Sequence, residues 1–274
     1  MADDMAKFLV FSDLHLVDKG DEIIGLDPLA RFSEGLEHAL AQHPDASRVV
    51  LLGDLTHHGR PAQYERLREA LGGLAMPVSF LLGNHDNRAA FLRVFPEAEV
   101  TSSGHIQQMV DLGPACLIAL DTLDDRANPR HSGRLCAERL GWLERALTWA
   151  AGRPVIVALH HPPFATGFTG MDAIALQNPA PLYALLKGYP GHVQMLCGHI
   201  HRTISGHAKG LPFTVFKSPC HQMPMRLGDE GSAHSVAEPG AYGIVLAGPD
   251  SVVVHSEDFG IASAAITAQD ITSA

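Results

Sequence analysis

Five short polar clusters hold most of the residues in this chain that could do chemistry: Asp13-Leu14-His15, Gly53-Asp54, Gly83-Asn84-His85-Asp86, His160-His161 and Gly198-His199-Ile200-His201. Each follows directly on an apolar run of strand length, so each is expected at the end of a buried strand. Carboxylates, imidazoles and a carboxamide gathered this way are the donor set of a hydrolytic centre built on two divalent metals. In Asp13-Leu14-His15 the i, i+2 spacing puts carboxylate and imidazole on one side of an extended segment, within reach of one ion. His199-Ile200-His201 repeats that spacing. Singly, each cluster has an ordinary explanation. An Asp after a strand is usually a cap or turn residue, Asn84 could sit in a turn, and His160-His161-Pro162-Pro163 could be a strand end stopped by proline. Jointly, five strand ends supplied with metal-competent side chains by accident is a much poorer account.

The elements that must position these clusters alternate through the first two-thirds of the chain. Strand-like Lys7 to Ser12 precedes a helical pattern from Pro28 to Gln42, Arg48 to Leu52 precedes Pro61 to Leu71, and Val78 to Leu82 precedes Arg88 to Phe95. This alternation predicts βαβ units and largely parallel strands. Ile106 to Val110 and Ala115 to Leu120 are joined only by Asp111 to Pro114, a connection short enough to require an antiparallel hairpin. A helix from Ala137 to Ala151, strand Pro154 to Leu159, helix Pro181 to Lys187 and strand His192 to Cys197 follow. Beyond His201, the segments Thr203 to Ala208, Phe213 to Lys217, Tyr242 to Ala247 and Val252 to Ser256 read as strands without intervening helices. The stretch Gly228 to Gly240 reads as the most mobile loop. All five clusters fall at carboxyl ends of strands, where open α/β sheets gather their functional groups.

Composition narrows the partners. The 274 residues allow one large core, 46% of them are hydrophobic and 18% charged, and the formal net charge is −10 with no Lys/Arg run, so a nucleic-acid polymer is not the expected substrate. The acidic start, Met1 to Met5, lacks the basic region of a signal peptide, and no window approaches a membrane span, so a cytoplasmic protein without membrane attachment is expected. Cys116, Cys136, Cys197 and Cys220 show no C-x-x-C spacing. Free thiols are expected, although one bridge such as Cys136 to Cys220 stays open.

With its motifs in the order D-x-H, G-D, G-N-H-D, H and G-H-x-H, the chain resembles the calcineurin-like metallophosphoesterases over about residues 7 to 220. Gly59-Arg60-Pro61, His160-His161-Pro162-Pro163 and Met171-Asp172 resemble the class III cyclic nucleotide phosphodiesterase group and, within it, the glycerophosphodiesterase-like branch. The resemblance implies an α/β fold, a four-layered α/β/β/α sandwich of two mixed sheets. Residues 1–220 would form the catalytic domain and 221–274 a β-rich segment completing the second sheet, with homodimers or larger assemblies. It implies that Asp13, His15, Asp54 and His201 bind one metal and that Asp54, Asn84, His160 and His199 bind the other. The ions would be Mn, Fe, Zn or Co, and a metal-bound hydroxide would attack phosphorus.

The ligand set carries charge consequences. Two divalent ions against two carboxylates leave positive charge that attracts an anionic ester. His85 is expected to act at the phosphate or leaving oxygen, with Asp86 orienting its ring and Asp54 bridging the metals. His161, Phe164, the Gly167 to Gln177 loop and Ser218 to Met225, including His221, are expected to line the substrate entrance. At the position where related purple acid phosphatases carry an iron-binding Tyr, this chain has His57, which argues against an iron(III)-phenolate site; His57 and His58 are kept outside the ligand set. The branch favours glycerophosphodiesters, then cyclic nucleotides, with a broad phosphomonoesterase as the alternative. A silent binding scaffold would have to waste an intact ligand set, and a metallo-β-lactamase-type centre would need an H-x-H-x-D-H motif that is absent.

Overall fold

Val49–Leu52 (β2) is four consecutive aliphatic residues, all buried, as a strand covered on both faces requires. Its neighbours Ala6–Phe11 (β1) and Val78–Leu81 (β3) pair with it in parallel. The crossovers are Pro28–Gln42 (α1) and Pro61–Leu71 (α2), both with proline in the first turn; Asp27 caps α1 by accepting from the Leu29 and Ala30 amides. Arg88–Val94 (α3) follows β3 and is capped by Asn87. The computed structural model describes residues 5–228 and 233–261.

A second sheet forms from Gln108–Asp111 (β4), Cys116–Leu120 (β5), Val155–Leu159 (β6), Val193–Cys197 (β7), Ile204–Ala208 (β8) and Leu211–Val215 (β9), in the order β4-β5-β6-β7-β9-β8. The β4–β5 pair is the antiparallel hairpin expected from its short connection, with Asp111 opposite Cys116. Strands β5, β6, β7 and β9 run parallel, and β8 closes the edge antiparallel. Helices Ala137–Ala150 (α4) and Pro179–Gly188 (α6) cover the outer face, and a short helix, Thr169–Ala173 (α5), lies in the loop between β6 and α6.

The strand alternation resolves three apolar layers. Leu9 and Phe11 face Phe32, Leu36, Tyr64 and Phe91 of the first helical layer. Phe8, Val10, Val50 and Leu52 point the other way, into a core shared with Leu117, Ala119, Ile156 and Ala158 of the second sheet. Ile118, Val157 and Met195 meet Leu143, Ala146, Leu182 and Leu186 of α4 and α6. Helix, sheet, sheet and helix are therefore stacked, the expected four-layered sandwich.

One expectation about the C-terminal part needs correction. Ala241–Ala247 (β10) and Val252–Asp258 (β11) do not complete the second sheet. They extend the first, in the order β11-β10-β1-β2-β3, with β10 antiparallel to β1 and Ala6 opposite Ala247. The burial pattern explains this: β10 is buried along most of its length, with Tyr242 and Ile244 packed in the first helical layer and Val245 and Ala247 between the sheets. Of the stretch expected to be most mobile, residues 229–232 lie outside the described residues; Val236 is bridged to Gln222 and Glu238 pairs with Arg202 at 2.6 Å. All four cysteines are free thiols, so no Cys136–Cys220 bridge forms. Among the described residues no helix is long and apolar enough to cross a membrane.

Candidate metal centre

The carboxyl ends of β1, β2 and β3 from one sheet and of β6 and β7 from the other meet at one end of the sandwich. Asp13 and His15 leave β1, Asp54 leaves β2, Asn84 leaves β3, His160 ends β6, and His199 and His201 follow β7. The structure brings all seven together. The loops after β1 and β2 are laced by backbone bonds from Asp13 N to Gly53 O (3.0 Å) and from His15 N to Asp54 O (2.9 Å). Asp13, His15, Asp54, His199 and His201 all have left-handed backbones, with φ between 47° and 74°. Non-glycine residues adopt that region at a cost, and its concentration at five of seven convergent side chains marks a site whose surroundings impose the conformation.

Two glycines make the convergence possible. A Cβ on Gly83 would stand 2.2 Å from Asp54 Oδ1, and one on Gly198 would stand 2.1 Å from Ser12 Oγ. Only a hydrogen fits at either place.

The donor atoms face one another closely. His15 Nε2 lies 3.0 Å from His201 Nε2 and 3.5 Å from Asp54 Oδ2, and His201 Nε2 lies 3.5 Å from Asp13 Oδ1. On the other side, His160 Nε2 lies 3.4 Å from Asp54 Oδ2 and 3.2 Å from Asn84 Oδ1. The ring tautomers are set from behind. His160 Nδ1 donates to Leu52 O (2.9 Å) and His201 Nδ1 donates to His221 O (2.9 Å), which turns each Nε2 inward. His199 Nε2 is buried with no hydrogen-bond partner. Facing lone pairs and an orphaned buried imidazole nitrogen are costly in a metal-free interior and are what a cation would satisfy.

The electrostatics agree. Burial, reinforced by the neighbouring His85 and His201, holds His15 well below its ordinary value, and burial with His161 and His160 does the same for His199. Burial lowers His201 to about 4. These rings are neutral at pH 7, the form that binds metal. Burial raises the Asp13 carboxyl to about 7. For Asp54 and His160 burial opposes charge, but their mutual attraction outweighs it: Asp54 is held well below the usual carboxylate range and His160 is raised to about 9.

The cavity above these atoms has a volume of about 280 Å³. His85 lies on its wall: its backbone N–H donates to Asp54 Oδ1 (2.8 Å) and its Nδ1 donates to His57 O (2.9 Å), leaving Nε2 for the cavity. Asp86 does not orient that ring, contrary to the sequence expectation. Its carboxylate accepts from the amides of Leu55, Thr56 and Gly83 and from the hydroxyls of Thr56 and Tyr64, and so ties the loop after β2 to the loop after β3.

Two expected entrance residues do not line the cavity, although His161 lies directly behind it, its ring 4.8 Å from that of His199. His161 is fully buried; its Nε2 donates to His131 O (3.1 Å) and its Nδ1 accepts from Thr122 Oγ1 (2.8 Å). Phe164 stacks on Phe213, with ring centroids 3.8 Å apart, and takes no part in the cavity wall. His221, Met171, Ile174 and Met223 do line the cavity, as does His57, whose Nδ1 is 3.2 Å from His15 Nδ1.

His131 was not anticipated. It lies in the loop after β5, lines the cavity, accepts from Asn84 Nδ2 through Nδ1 (3.2 Å) and stacks on His85 at 5.1 Å. An isolated histidine in a polar loop, eleven residues past a strand end, was its only sequence signal.

Sandwich and site together define a calcineurin-like phosphoesterase: residues 6–203 match the model of that family, and the chain belongs to it. More particularly, the chain is 39% identical over 254 residues to a probable cyclic nucleotide phosphodiesterase of Rhodopseudomonas palustris, covering 92% of each chain. It is 32% identical over 187 residues to a glycerophosphodiester phosphodiesterase of Enterobacter lignolyticus, covering 68% of this chain and 66% of the relative. A dimetal phosphatase from Danio rerio has the same fold, with a TM-score of 0.65 at 15% identity over 92% of this chain and 99% of that one.

Proposed function

We propose that the chain is a metal-dependent phosphodiesterase of small diesters, with 3′,5′-cyclic nucleotides ahead of glycerophosphodiesters. The observation that carries the proposal is the position of Asp54, whose Oδ2 is 3.5 Å from His15 Nε2 and 3.4 Å from His160 Nε2, so that one carboxylate faces two donor groups. On this reading Asp13, His15, Asp54 and His201 hold one divalent ion, Asp54, Asn84, His160 and His199 hold the other, and Asp54 is shared. Two such ions, when bound, draw in the phosphate, activate water near neutral pH and stabilise an in-line displacement.

The chain's own groups supply the rest. Water adds to phosphorus and gives up one proton to solvent, one P–O ester bond breaks, and the departing alkoxide requires a proton. His85, fixed by Asp54 and the His57 carbonyl, can give it from Nε2 in its imidazolium form. His221 and His131 stand on the cavity wall within the same space, suited to phosphate oxygens. Met171, Ile174 and Met223 make an apolar side against which a nucleobase can lie. That apolar wall and the 39% identity to a cyclic nucleotide phosphodiesterase support putting cyclic nucleotides first.

The test is a metal-reconstituted assay comparing 3′,5′- and 2′,3′-cyclic nucleotides, glycerophosphodiesters, a bis-aryl phosphate and an aryl phosphate. Asp54→Ala is expected to be inactive toward every one. His85→Ala is expected to keep its metal and lose about 10² to 10⁴ in kcat. A strong preference for the monoester would overturn the assignment.

A further inference from the structure

We propose that His105, Cys136 and Glu138 form a separate site for one thiophilic divalent cation of the zinc class, sharing no ligand with the phosphoesterase centre. The three side chains come from two segments, the turn ahead of β4 and the N-terminus of α4, and their donor atoms lie within 4.8 Å of one another. Thiolate, imidazole and carboxylate are an established zinc donor set, and Cys136 Sγ and Glu138 Oε2 already stand 3.8 Å apart.

The surroundings fit a bound cation. Cys136 is the N-cap of α4 but its side chain caps no backbone amide, so Sγ is free of the helix terminus. Arg139 Nε donates to Cys136 Sγ at 3.4 Å, the kind of outer N–H to sulfur bond that steadies a metal-bound thiolate. The Arg139 charge does not oppose an ion unaided: Asp121 lies 3.8 Å away, and Nη1 donates to the carbonyls of Asp121 and Leu123. Ser103 Oγ is 3.0 Å from His105 Nδ1 and so orients the ring.

A further polar group beside Glu138 is left unsatisfied. Gln107 is 1% exposed, both polar atoms of its amide lack any hydrogen-bond partner, and it lines the same cavity of about 620 Å³ as Glu138. A buried amide left unsatisfied is unfavourable, and a polar occupant of this cavity would satisfy it. Binding exchanges the thiol proton for the metal, with no change of oxidation state.

Cobalt(II) separates the two sites, because the phosphoesterase centre contains no cysteine. Titrating the full-length protein with Co²⁺ is expected to give a near-ultraviolet thiolate-to-cobalt charge-transfer band. The band should vanish in Cys136→Ser, weaken in His105→Ala and persist in Asp54→Ala, each shown to be folded by circular dichroism. Iodoacetamide labelling of Cys136 should slow at least several-fold when Zn²⁺ is present. A wild-type protein that loads cobalt without the band, or a band surviving Cys136→Ser, would overturn the proposal whether or not the chain hydrolyses diesters.

Discussion

Asp86 shows how a residue in a catalytic motif can act entirely through others. Four donors from the loops after β2 and β3 and the Tyr64 hydroxyl of α2 converge on its buried carboxylate, while the neighbouring His85 ring is held by the His57 carbonyl. Removing the carboxylate strands several buried donors, so Asp86→Ala is expected to lose about 3–5 kcal/mol of stability in urea unfolding, and Asp86→Asn less. A loss below about 1 kcal/mol would show that these bonds do not position the motif. At this scale the sequence was legible where chemistry and position coincided. Asp13, His15, Asp54, Asn84, His160, His199 and His201 could be gathered in advance because each sits at a strand end. His161 could not be placed by adjacency: both histidines follow the end of β6 in a bend, and although the His161 ring lies 4.8 Å from that of His199, its two nitrogens are taken by Thr122 and the His131 carbonyl. His131 reaches the site only through the path of an irregular loop, for which no periodicity exists to be read.

The elements locate the site through what they leave out as much as through what they present. Gly83 and Gly198 stand at the ends of β3 and β7, where a methyl group would collide with Asp54 or Ser12. Gly83→Ala is therefore expected to weaken metal binding at least tenfold by displacing the Asp54 carboxylate; equilibrium dialysis with Mn²⁺ or Zn²⁺ measures this. Undiminished affinity would mean that the loop relaxes freely. Most elements were readable from alternation and caps, including the Pro-led helices and the β4–β5 hairpin. The destination of the last hairpin was not. Apolar segments near 241–247 and 252–258 declare themselves strands, but which sheet they join depends on a gap beside β1 that exists only once the sandwich has formed.

For the whole molecule, the centre is a clasp between two sheets, and its stability should depend on what the clasp holds. In metal-free protein, burial keeps His57 and His201 at about 4 and His161 and His221 at about 3, all below an ordinary 6.5. As pH falls from 6.5 toward 4 the unfolded chain takes up protons that the folded chain refuses, so stability is lost over that window. Asp13 and Asp86, raised to about 7 and about 6, act in the opposite sense, but they are outnumbered, since His15 and His199 are held well below 6.5 as well. The Tm of chelator-treated protein is accordingly expected to drop between pH 6.5 and 4.5. Divalent metal at about 100 times its Kd should add about 2.7 kcal/mol per site at neutral pH. A Tm flat across the acid range, or one indifferent to metal, would contradict the clasp.

Strand β10 lies between β11 and β1. During synthesis all seven convergent side chains have been made once His201 has left the ribosome, yet β1, which carries Asp13 and His15, still lacks one of its two flanking strands until residues 241–247 emerge. Strand β1 must wait for a partner far along the chain. Long-range pairing of this kind forms slowly, so the half-made chain holds a full complement of ligands without the frame that sets them at metal-binding distances. Competence for metal is in this sense acquired only once β10 has emerged, and a chain stopped short of β10 is expected to be a poor competitor for cellular metal ions.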